Sequence, residues 1–252
     1  MGKNWRYGGK TEGGKTEPKT PEVKKEEPKV VSPSLTESDV KSLITKYASG
    51  QPQNVHDGLY SFWSRAKDTT LDKGTDPSIV YLLCKAYFLS HRSNVVVVGN
   101  DSAMLISAVS GALQNERHMV TFDNVQAKTH VDKFEWNFRV THNPLTDRNK
   151  MRSDFKKCVE GFGKPAEMFI VDSKYDIFPR IYPEAVLAGL IGMNTDVYVH
   201  NVDVKDHYVK NLRGKLELGL FATCSMVEGM MQVKLPDGFK LDKFSIDDLE
   251  KM

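Results

Sequence analysis

The chain has 252 residues, of which 40% are hydrophobic and 27% are charged, so it is long enough for one ordinary domain with a sizeable core. Its 35 Lys and Arg residues nearly balance its 33 Asp and Glu residues, and the net charge is +2. This balance excludes a strongly basic protein whose composition alone would indicate nucleic-acid binding.

Residues 1–34 are predicted to form a disordered, charged tail. They contain GGKTE twice, then PKTPEVKKEEPK, and they hold eight Lys and Arg residues against five Glu residues. With only isolated apolar residues, such a segment buries too little surface to offset the entropy lost on ordering. The tail is interpreted either as a solvated tether or as a weak RNA-contacting arm, in which mobile lysines attract phosphates and Trp5, Arg6 and Tyr7 stack on bases.

A helical extension is predicted over residues 35–75. Ser34 or Thr36 is suited to cap a first amphipathic helix, and a second short helix is predicted over 57–66. A third, largely apolar helix is predicted to begin at Asp76–Pro77, a pair that favours an N-cap and a first helical turn.

From residue 94 onward, short apolar runs alternate with helical patterns. A continuous β-branched run such as NVVVV is typical of a parallel strand that is buried on both faces. Strands are predicted at 94–99, 118–123, 168–172 and 196–202, helices at 101–114, 148–162 and 183–193, and an antiparallel pair in LELGLFATC and MMQVKL. This order predicts an α/β fold over 35–252: a Rossmann-like doubly wound sheet, mostly parallel with a C-terminal antiparallel hairpin, and helices on both faces.

The cysteines and the hydropathy indicate the compartment. Cys84, Cys158 and Cys224 form an odd, sparse set that is typical of reduced thiols, and they lack the spacing of zinc ligands. No apolar run reaches about 18 residues, and the N-terminus is too polar for a signal peptide. We therefore expect a cytoplasmic protein with no membrane partner and no metal site.

Ligands of doubly wound sheets bind outside the carboxyl ends of the strands. There, a small loop before a helix lets a cofactor approach the backbone, and an acid after the second strand can accept both hydroxyls of a ribose. GNDSAM is neither GxGxxG nor a phosphate-binding loop, and its aspartate would repel a pyrophosphate, which favours a cofactor with a cationic sulfonium instead. The residues at these strand ends are Gly99, Asn100, Asp101, Ser102, Asp123, Asp172 and His200.

The segments that carry these residues resemble a known family. YLLCKAYFLS followed by NVVVVGNDSAMLI is similar to the helix and first motif of the poxvirus-type cap-specific 2′-O-methyltransferases, which are related to FtsJ-like RNA methyltransferases. The similarity continues through HMVTFDN, EMFIVDSKYD, VYVHNV and CSMVEGMMQV, and it covers roughly residues 76–235. The resemblance implies a methyltransferase fold, S-adenosylmethionine as cofactor and RNA as partner.

The resemblance also implies a catalytic tetrad of Lys, Asp, Lys and Glu, in which one lysine is the base for a ribose 2′-hydroxyl. Asp172 and Glu228 stand at the two acidic positions, but His200 occupies the central lysine position and Val80 the first. The loss of a positioned base lowers a rate by about 10²–10⁴-fold. Both acids also have a plainer interpretation, as a strand-end acid and a surface acid of a hairpin.

Three side chains could replace the missing lysines. His200 could act as the base, because the ordinary pKa of histidine is near 6.5, or it could be a satisfied core residue. Lys174 follows Asp172 closely, and Lys85 lies one helical turn beyond Val80. Neither lysine matches the motif of the family.

Residues 130–152, HVDKFEWNFRVTHNPLTDRNKMR, mix aromatic and basic side chains. In the resembled family the region after the second strand lies near the substrate. The segment is therefore interpreted either as an RNA-facing surface or as an ordinary amphipathic strand and helix.

Three functions are compatible with this sequence. The first is a degenerate methyltransferase-like domain of viral type that acts as an RNA- or protein-binding scaffold. The second is an active S-adenosylmethionine-dependent RNA methyltransferase with a rearranged catalytic set. The third is a structural or coat-like protein associated with nucleic acid. The first accounts best for two acids that are present and two lysines that are missing.

Overall fold

The computed structural model describes residues 35–69, 76–89, 93–99, 103–113, 118–122, 139–141, 147–172, 177–200, 202, 205–218 and 222–240. These residues belong to one compact unit, Pro33–Met252. The predicted charged tail, 1–34, lies outside the described residues. Among the described helices, none is both long and apolar enough to cross a membrane.

Helices and strands alternate along most of the described chain. The helices are α1 Glu37–Tyr47, α2 Gln53–Thr69, α3 Pro77–Tyr87, α4 Ala103–Ala112, α5 Arg148–Phe162, α6 Phe178–Leu187 and α7 His207–Leu218. The strands are β1 Asn94–Val98, β2 His118–Phe122, β3 Arg139–Thr141, β4 Met168–Val171, β5 Asp196–Val199, β6 Thr223–Val227 and β7 Met230–Lys234.

The described strands form one sheet in the order β3-β2-β1-β4-β5-β7-β6. The first five are parallel, whereas β7 pairs antiparallel with both β5 and β6. The order 3-2-1-4-5 is that of a Rossmann-type doubly wound sheet. The predicted fold class is therefore confirmed, including the C-terminal antiparallel hairpin.

The sheet separates two hydrophobic layers. Val95 and Val97 of β1 face a core that also contains residues of α1 to α4, whereas Val96 and Val98 face a core formed with α5, α6 and α7. Because successive side chains of a strand point to opposite faces, a strand between two helical layers must be apolar throughout. This requirement explains the unbroken valine run of β1.

The helical extension is part of one of these layers. Thr36 caps α1 and forms a reciprocal capping box with Asp39, which identifies Thr36, not Ser34, as the N-cap. The second helix, α2, is longer than the predicted 57–66. Buried Leu59 and Trp63 join it to the core shared with α3 and α4.

The bounds of two predicted elements near the C-terminus were wrong. The helix predicted over 183–193 is α6, which begins five residues earlier, with Pro179 in its first turn, and ends before Gly189. Gly189 has φ +75°, the left-handed conformation that commonly ends a helix. The segment predicted to open the antiparallel pair, LELGL, instead begins inside α7, and the strand starts only at Thr223.

Candidate functional site

Four of the predicted site residues lie at one edge of the sheet. Because β1, β4 and β5 are parallel, their carboxyl ends place Gly99, Asp172 and His200 along the same edge. Strand β7 runs antiparallel to β5 and so begins beside the end of β5, which brings the β6–β7 turn, with Glu228, to that edge as well. We call this the carboxyl edge.

The order of the strands reverses between β1 and β4. The chain adds β2 and β3 on one side of β1 and then returns to add β4 on the other side. Ligands of doubly wound sheets bind in the crevice at this switch point. Gly99 follows β1 with φ +93° and donates its N–H to the Phe122 carbonyl at 2.8 Å, while the Asp172 N–H donates to the Val98 carbonyl at 2.8 Å. Gly99 and Asp172 therefore flank the crevice.

The rest of the predicted cofactor site lies outside the described residues. This concerns Asn100, Asp101, Ser102 and Asp123, together with Lys174, one of the alternative bases. Their roles stay predictions from the sequence.

His200 is enclosed between two carboxylates. Its side chain is 2% exposed, and the side chain of Asp172 is fully buried. Nδ1 of His200 lies 2.8 Å from Oδ1 of Asp172, and Nε2 lies 3.3 Å from Oδ2 of Asp76. Asp76 is also the N-cap of α3, where it accepts hydrogen bonds from the N–H groups of Ser78 and Ile79. One imidazole thus links the start of α3 to the ends of β4 and β5.

The two carboxylates determine the charge of His200. Burial by itself lowers the pKa of His200, but the hydrogen bonds and charges of Asp172 and Asp76 outweigh burial and raise that pKa to about 9. Burial by itself would raise the pKa of Asp76, yet His200 and the helix-capping bonds hold it below its usual range. We regard the longer, poorly aligned contact with Asp76 as an ion pair. Near pH 7 the ring is therefore protonated, and in that state it cannot accept a proton.

Asp76 belongs to this cluster, although the sequence indicated only its local role. The predicted helix start at Asp76–Pro77 is confirmed. Because capping already explains an aspartate at this position, nothing local signals a second partner far along the chain. The available signal was His200 itself, since a histidine at the end of a buried strand requires polar partners from neighbouring elements.

Glu228 has its partners on the first helix, α1. Oε1 of Glu228 lies 2.7 Å from Nζ of Lys46, and the two side chains are 23% and 61% exposed. The bond to Lys46 is the main reason that the pKa of Glu228 lies below its usual range, and the Tyr47 hydroxyl acts in the same direction. A lysine therefore does stand at the carboxyl edge, but it comes from outside the segment that resembles the family.

Val80, at the position of the family's first lysine, and Lys85, its possible replacement, do not contribute to this edge. Val80 is fully buried in the core beneath α3. Lys85 lies in the last turn of α3, about 13 Å along the helix axis from Asp76. Its Nζ instead lies 5.6 Å from the centre of the Tyr81 ring. Neither residue can supply a base to the carboxyl edge.

The backbone at Glu228 allows a test of its contribution to stability. Glu228 has φ +47° and Gly229 has φ +80°, which matches a type I′ turn, where Gly, Asn or Asp is favoured at the first central position. We expect Glu228→Gly to change the free energy of unfolding by less than about 1 kcal/mol, because relief of the backbone offsets the loss of an exposed ion pair.

Urea denaturation measures this difference. The matched control is Gly229→Ala, which places a side chain at a positive φ and should destabilise the protein by about 1 kcal/mol or more. A loss of several kcal/mol in Glu228→Gly would contradict the expectation and make Glu228 a structural residue.

Other features of the described residues lie away from the carboxyl edge. A depression lined by Leu89 and by residues 164–167 and 192–196 lies at the amino ends of β4 and β5, on the opposite edge of the sheet. Within the described ranges, no group of three or more His, Cys, Asp or Glu side chains is arranged to hold a metal ion. The chemistry of the described site therefore rests on Asp76, Asp172, His200 and the Lys46–Glu228 pair.

No family model matches the sequence, and no curated protein matches it. Among solved structures, the chain is similar to the SAH-bound methyltransferase PaMTH1 of Podospora anserina, with 13% identity, 79% of this chain and 95% of that chain covered, and a TM-score of 0.49. It is also similar to cofactor-bound Rv0187 from MTB, with 13% identity, 80% and 98% covered, and a TM-score of 0.49. An O-methyltransferase from Bacillus cereus in complex with SAH shows 14% identity, 77% and 96% covered, and a TM-score of 0.45. These are similarities of fold, and no residue's role follows from them.

Proposed function

We propose that this chain is a methyltransferase-like domain that binds S-adenosylmethionine without transferring its methyl group, and that it acts as an RNA- or protein-binding scaffold. The setting that we infer from the family resemblance is viral RNA processing in the cytoplasm. Free, buried or half-buried thiols at Cys84, Cys158 and Cys224 support a reducing compartment.

The observation that carries this proposal is the enclosure of buried His200 between two carboxylates at the central lysine position. A general base must be uncharged and within reach of the hydroxyl whose proton it takes. His200 is 1% exposed, is hydrogen-bonded to Asp172 through one ring nitrogen and is ion-paired with Asp76 through the other. Its raised pKa keeps it protonated near pH 7. This arrangement supports ligand binding without proton abstraction.

The described side of the crevice fits S-adenosylmethionine. Gly99 at the end of β1 has a positive φ and no side chain, so it places no Cβ at the switch point, where a ligand of such a sheet approaches the backbone. The Asp76 side chain, 40% exposed, offers a carboxylate at the carboxyl edge to a cationic group. When bound, S-adenosylmethionine supplies an electrophilic methyl group on a sulfonium cation. We assign its adenosine end to the loop Asn100–Ser102 and to Asp123, as the sequence predicts.

Isothermal titration of the full chain with S-adenosylmethionine, and with S-adenosylhomocysteine in parallel, tests the cofactor part of the proposal. We expect micromolar binding of both ligands. Binding should be lost in Asp123→Ala, because the ribose hydroxyls lose their acceptor. The matched control is Glu160→Ala, which removes an exposed acid from the C-terminal half of α5, away from the carboxyl edge.

A methyl-transfer assay on capped RNA with the same preparations tests the second part. We expect no methylated product above background. A folded chain that releases no heat with either ligand would remove the cofactor from the proposal. Steady turnover that Asp172→Asn abolishes would instead show that the domain is a catalyst.

An active RNA methyltransferase with a rearranged catalytic set is the second candidate, and Lys46 is the observation that favours it. Lys46 contacts Glu228, which stands at the tetrad's glutamate position. It is largely exposed and ion-paired, so it would have to leave Glu228 and lose water before it could take a proton. Turnover that is lost in Lys46→Met and retained in Lys41→Met, the matched change in the same helix, α1, would support this candidate.

A further inference from the structure

Strand β6 forms one end of the described sheet. It pairs with β7 on one side, and no described strand lies on its other side. Thr223, Ser225 and Met226 are exposed, and 38% of the Met226 surface is accessible. An open strand of this kind presents unpaired backbone N–H and C=O groups, with which another strand can pair.

The turn between β6 and β7 determines which backbone groups of β6 face outward. Val227 and Met230 flank a two-residue turn, so these two residues exchange both of their backbone hydrogen bonds. Because bonded and non-bonded pairs alternate along an antiparallel ladder, Ser225 also bonds to β7. Cys224 and Met226 therefore direct their N–H and C=O groups away from β7.

Strand β6 lacks the residues that usually prevent an edge strand from pairing. Such strands commonly carry a lysine, another charged residue or a proline, and the sequence TCSMV contains none of these. Among the described residues, one outward group has a partner: the Cys224 N–H donates to Oε1 of Glu217 in α7 at 3.3 Å. The same oxygen lies 3.1 Å from Nε of Arg213. The Met226 N–H and the carbonyls of Cys224 and Met226 have no partner in the described part of the chain.

The outward groups of β6 are complementary to those of a second β6. When two copies of the strand lie antiparallel with a twofold axis at Ser225, Cys224 of each copy lies opposite Met226 of the other. Each of these pairs can exchange both backbone hydrogen bonds. The other side chains that meet are uncharged, because Ser225 meets its own copy and Thr223 meets Val227. A twofold interface of this kind requires one patch to match itself, and β6 meets that requirement.

We propose that β6 is a dimerisation edge, where a second copy of this chain continues the sheet by antiparallel pairing of the two β6 strands about Ser225. Glu217 competes with this pairing, because it must release the Cys224 N–H before the strands can bond. Since the paired strands run in opposite directions, the carboxyl edges of the two copies face opposite ends of one continuous sheet. The dimer thus carries two separate sites, and its formation requires neither cofactor nor catalysis.

A cysteine at the twofold axis tests the register of the two strands. Ser225 and its copy form a non-hydrogen-bonded pair with Cα atoms about 4.5 Å apart, a distance that a disulfide can span. We expect Ser225→Cys in the full chain to form a covalent dimer on mild oxidation, detected on a non-reducing gel. The matched control is Thr223→Cys, which is also exposed but lies about 14 Å along the strands from its copy and should stay monomeric. The unaltered chain, with its native cysteines, gives the background.

Sedimentation equilibrium of the full chain over a series of concentrations measures the association itself. We expect a reversible dimer of the unaltered chain. Met226→Pro removes an outward donor but no hydrogen bond to β7, so it should weaken the dimer by about tenfold or more. Met226→Thr, which keeps the N–H, is the matched control and should still dimerise. Glu217→Ala frees the Cys224 N–H in both copies and should strengthen the dimer by about tenfold.

Several outcomes would overturn the assignment. A chain that stays monomeric up to its solubility limit has no dimerisation edge. A dimer that persists in Met226→Pro, with an unchanged circular dichroism spectrum, is held by another surface. Equal cross-linking of Ser225→Cys and Thr223→Cys would refute the register, and this comparison decides the matter if Met226→Pro does not fold. A dimer weakened by Glu217→Ala would refute the competing role of Glu217.

Discussion

Replacement of Asp172 by alanine is expected to lower the free energy of unfolding by about 3–5 kcal/mol. Asp172 is fully buried and holds the buried ring of His200 at 2.8 Å. Without the carboxylate, the protein must either keep an imidazolium with one distant partner or expel its proton, and both alternatives are unfavourable in a low-dielectric interior. Urea denaturation at pH 7, followed by tryptophan fluorescence, to which buried Trp63 contributes, measures the change.

Two further variants separate this effect from the general consequence of losing a buried acid. Asp154 is also buried, but its partner Lys157 is 71% exposed and lies 3.3 Å away, so Asp154→Ala should cost only about 1 kcal/mol. The double variant Asp172→Ala/His200→Leu should be more stable than Asp172→Ala alone, because no uncompensated charge stays buried. A double variant as unstable as the sum of the two single changes would show that the two side chains do not interact.

The strands were the part of the fold that the sequence predicted best. Every residue of β1 is buried, as an unbroken run of β-branched side chains between two helical layers requires. The predicted strands β2, β4 and β5 begin at the observed residues. They extend one to three residues past the observed ends, Phe122, Val171 and Val199. Buried parallel strands are predictable because their composition is dictated by both faces at once.

The helices on the surface of the sheet were harder to predict. Among the side chains of α7 that the structure describes, Val209, Leu212 and Leu216 are buried and the others are mostly polar, so the apolar stripe is narrow and the helix was not predicted. In α6, the helix was predicted to begin at Pro183, but the chain accommodates this proline inside the helix after an earlier start at Phe178. Tertiary packing overrode the local signal in both places.

Only part of the site could be predicted from the sequence. Asp172, His200 and Glu228 follow strands or a turn, and the order of the strands places them at one edge. Their partners lie at helix ends. Asp76 caps the start of α3, and Lys46 lies in the last turn of α1, where a basic residue is common. These local roles already account for both residues. The cluster exists only because the folded sheet brings these helix ends to the strand ends, and no spacing along the chain encodes that contact.

A loss of stability between neutral and alkaline pH is the second large effect that we expect. In the unfolded chain His200 has the ordinary pKa of 6.5, whereas in the folded protein Asp172 and Asp76 raise its pKa to about 9 against the opposing effect of burial. Below pH 6.5 the ring is protonated in both states, and its interaction with the two carboxylates contributes fully. As the pH rises through 9 the folded protein also loses the proton, and a contribution of about 3 kcal/mol disappears.

Urea denaturation at a series of pH values should show this decline in the unaltered chain and not in His200→Gln. The thiols do not obscure the result, since burial raises the pKa of Cys158 to about 11 and those of Cys84 and Cys224 to about 12. Because the ordinary pKa of a thiol is 9, these raised pKa values change the stability mainly above pH 9, beyond the range in which His200 loses its proton. Parallel curves for the two proteins between pH 6.5 and 9 would mean that the folded ring is neutral at pH 7. His200 would then again be a candidate base, and its charge would no longer favour ligand binding without catalysis.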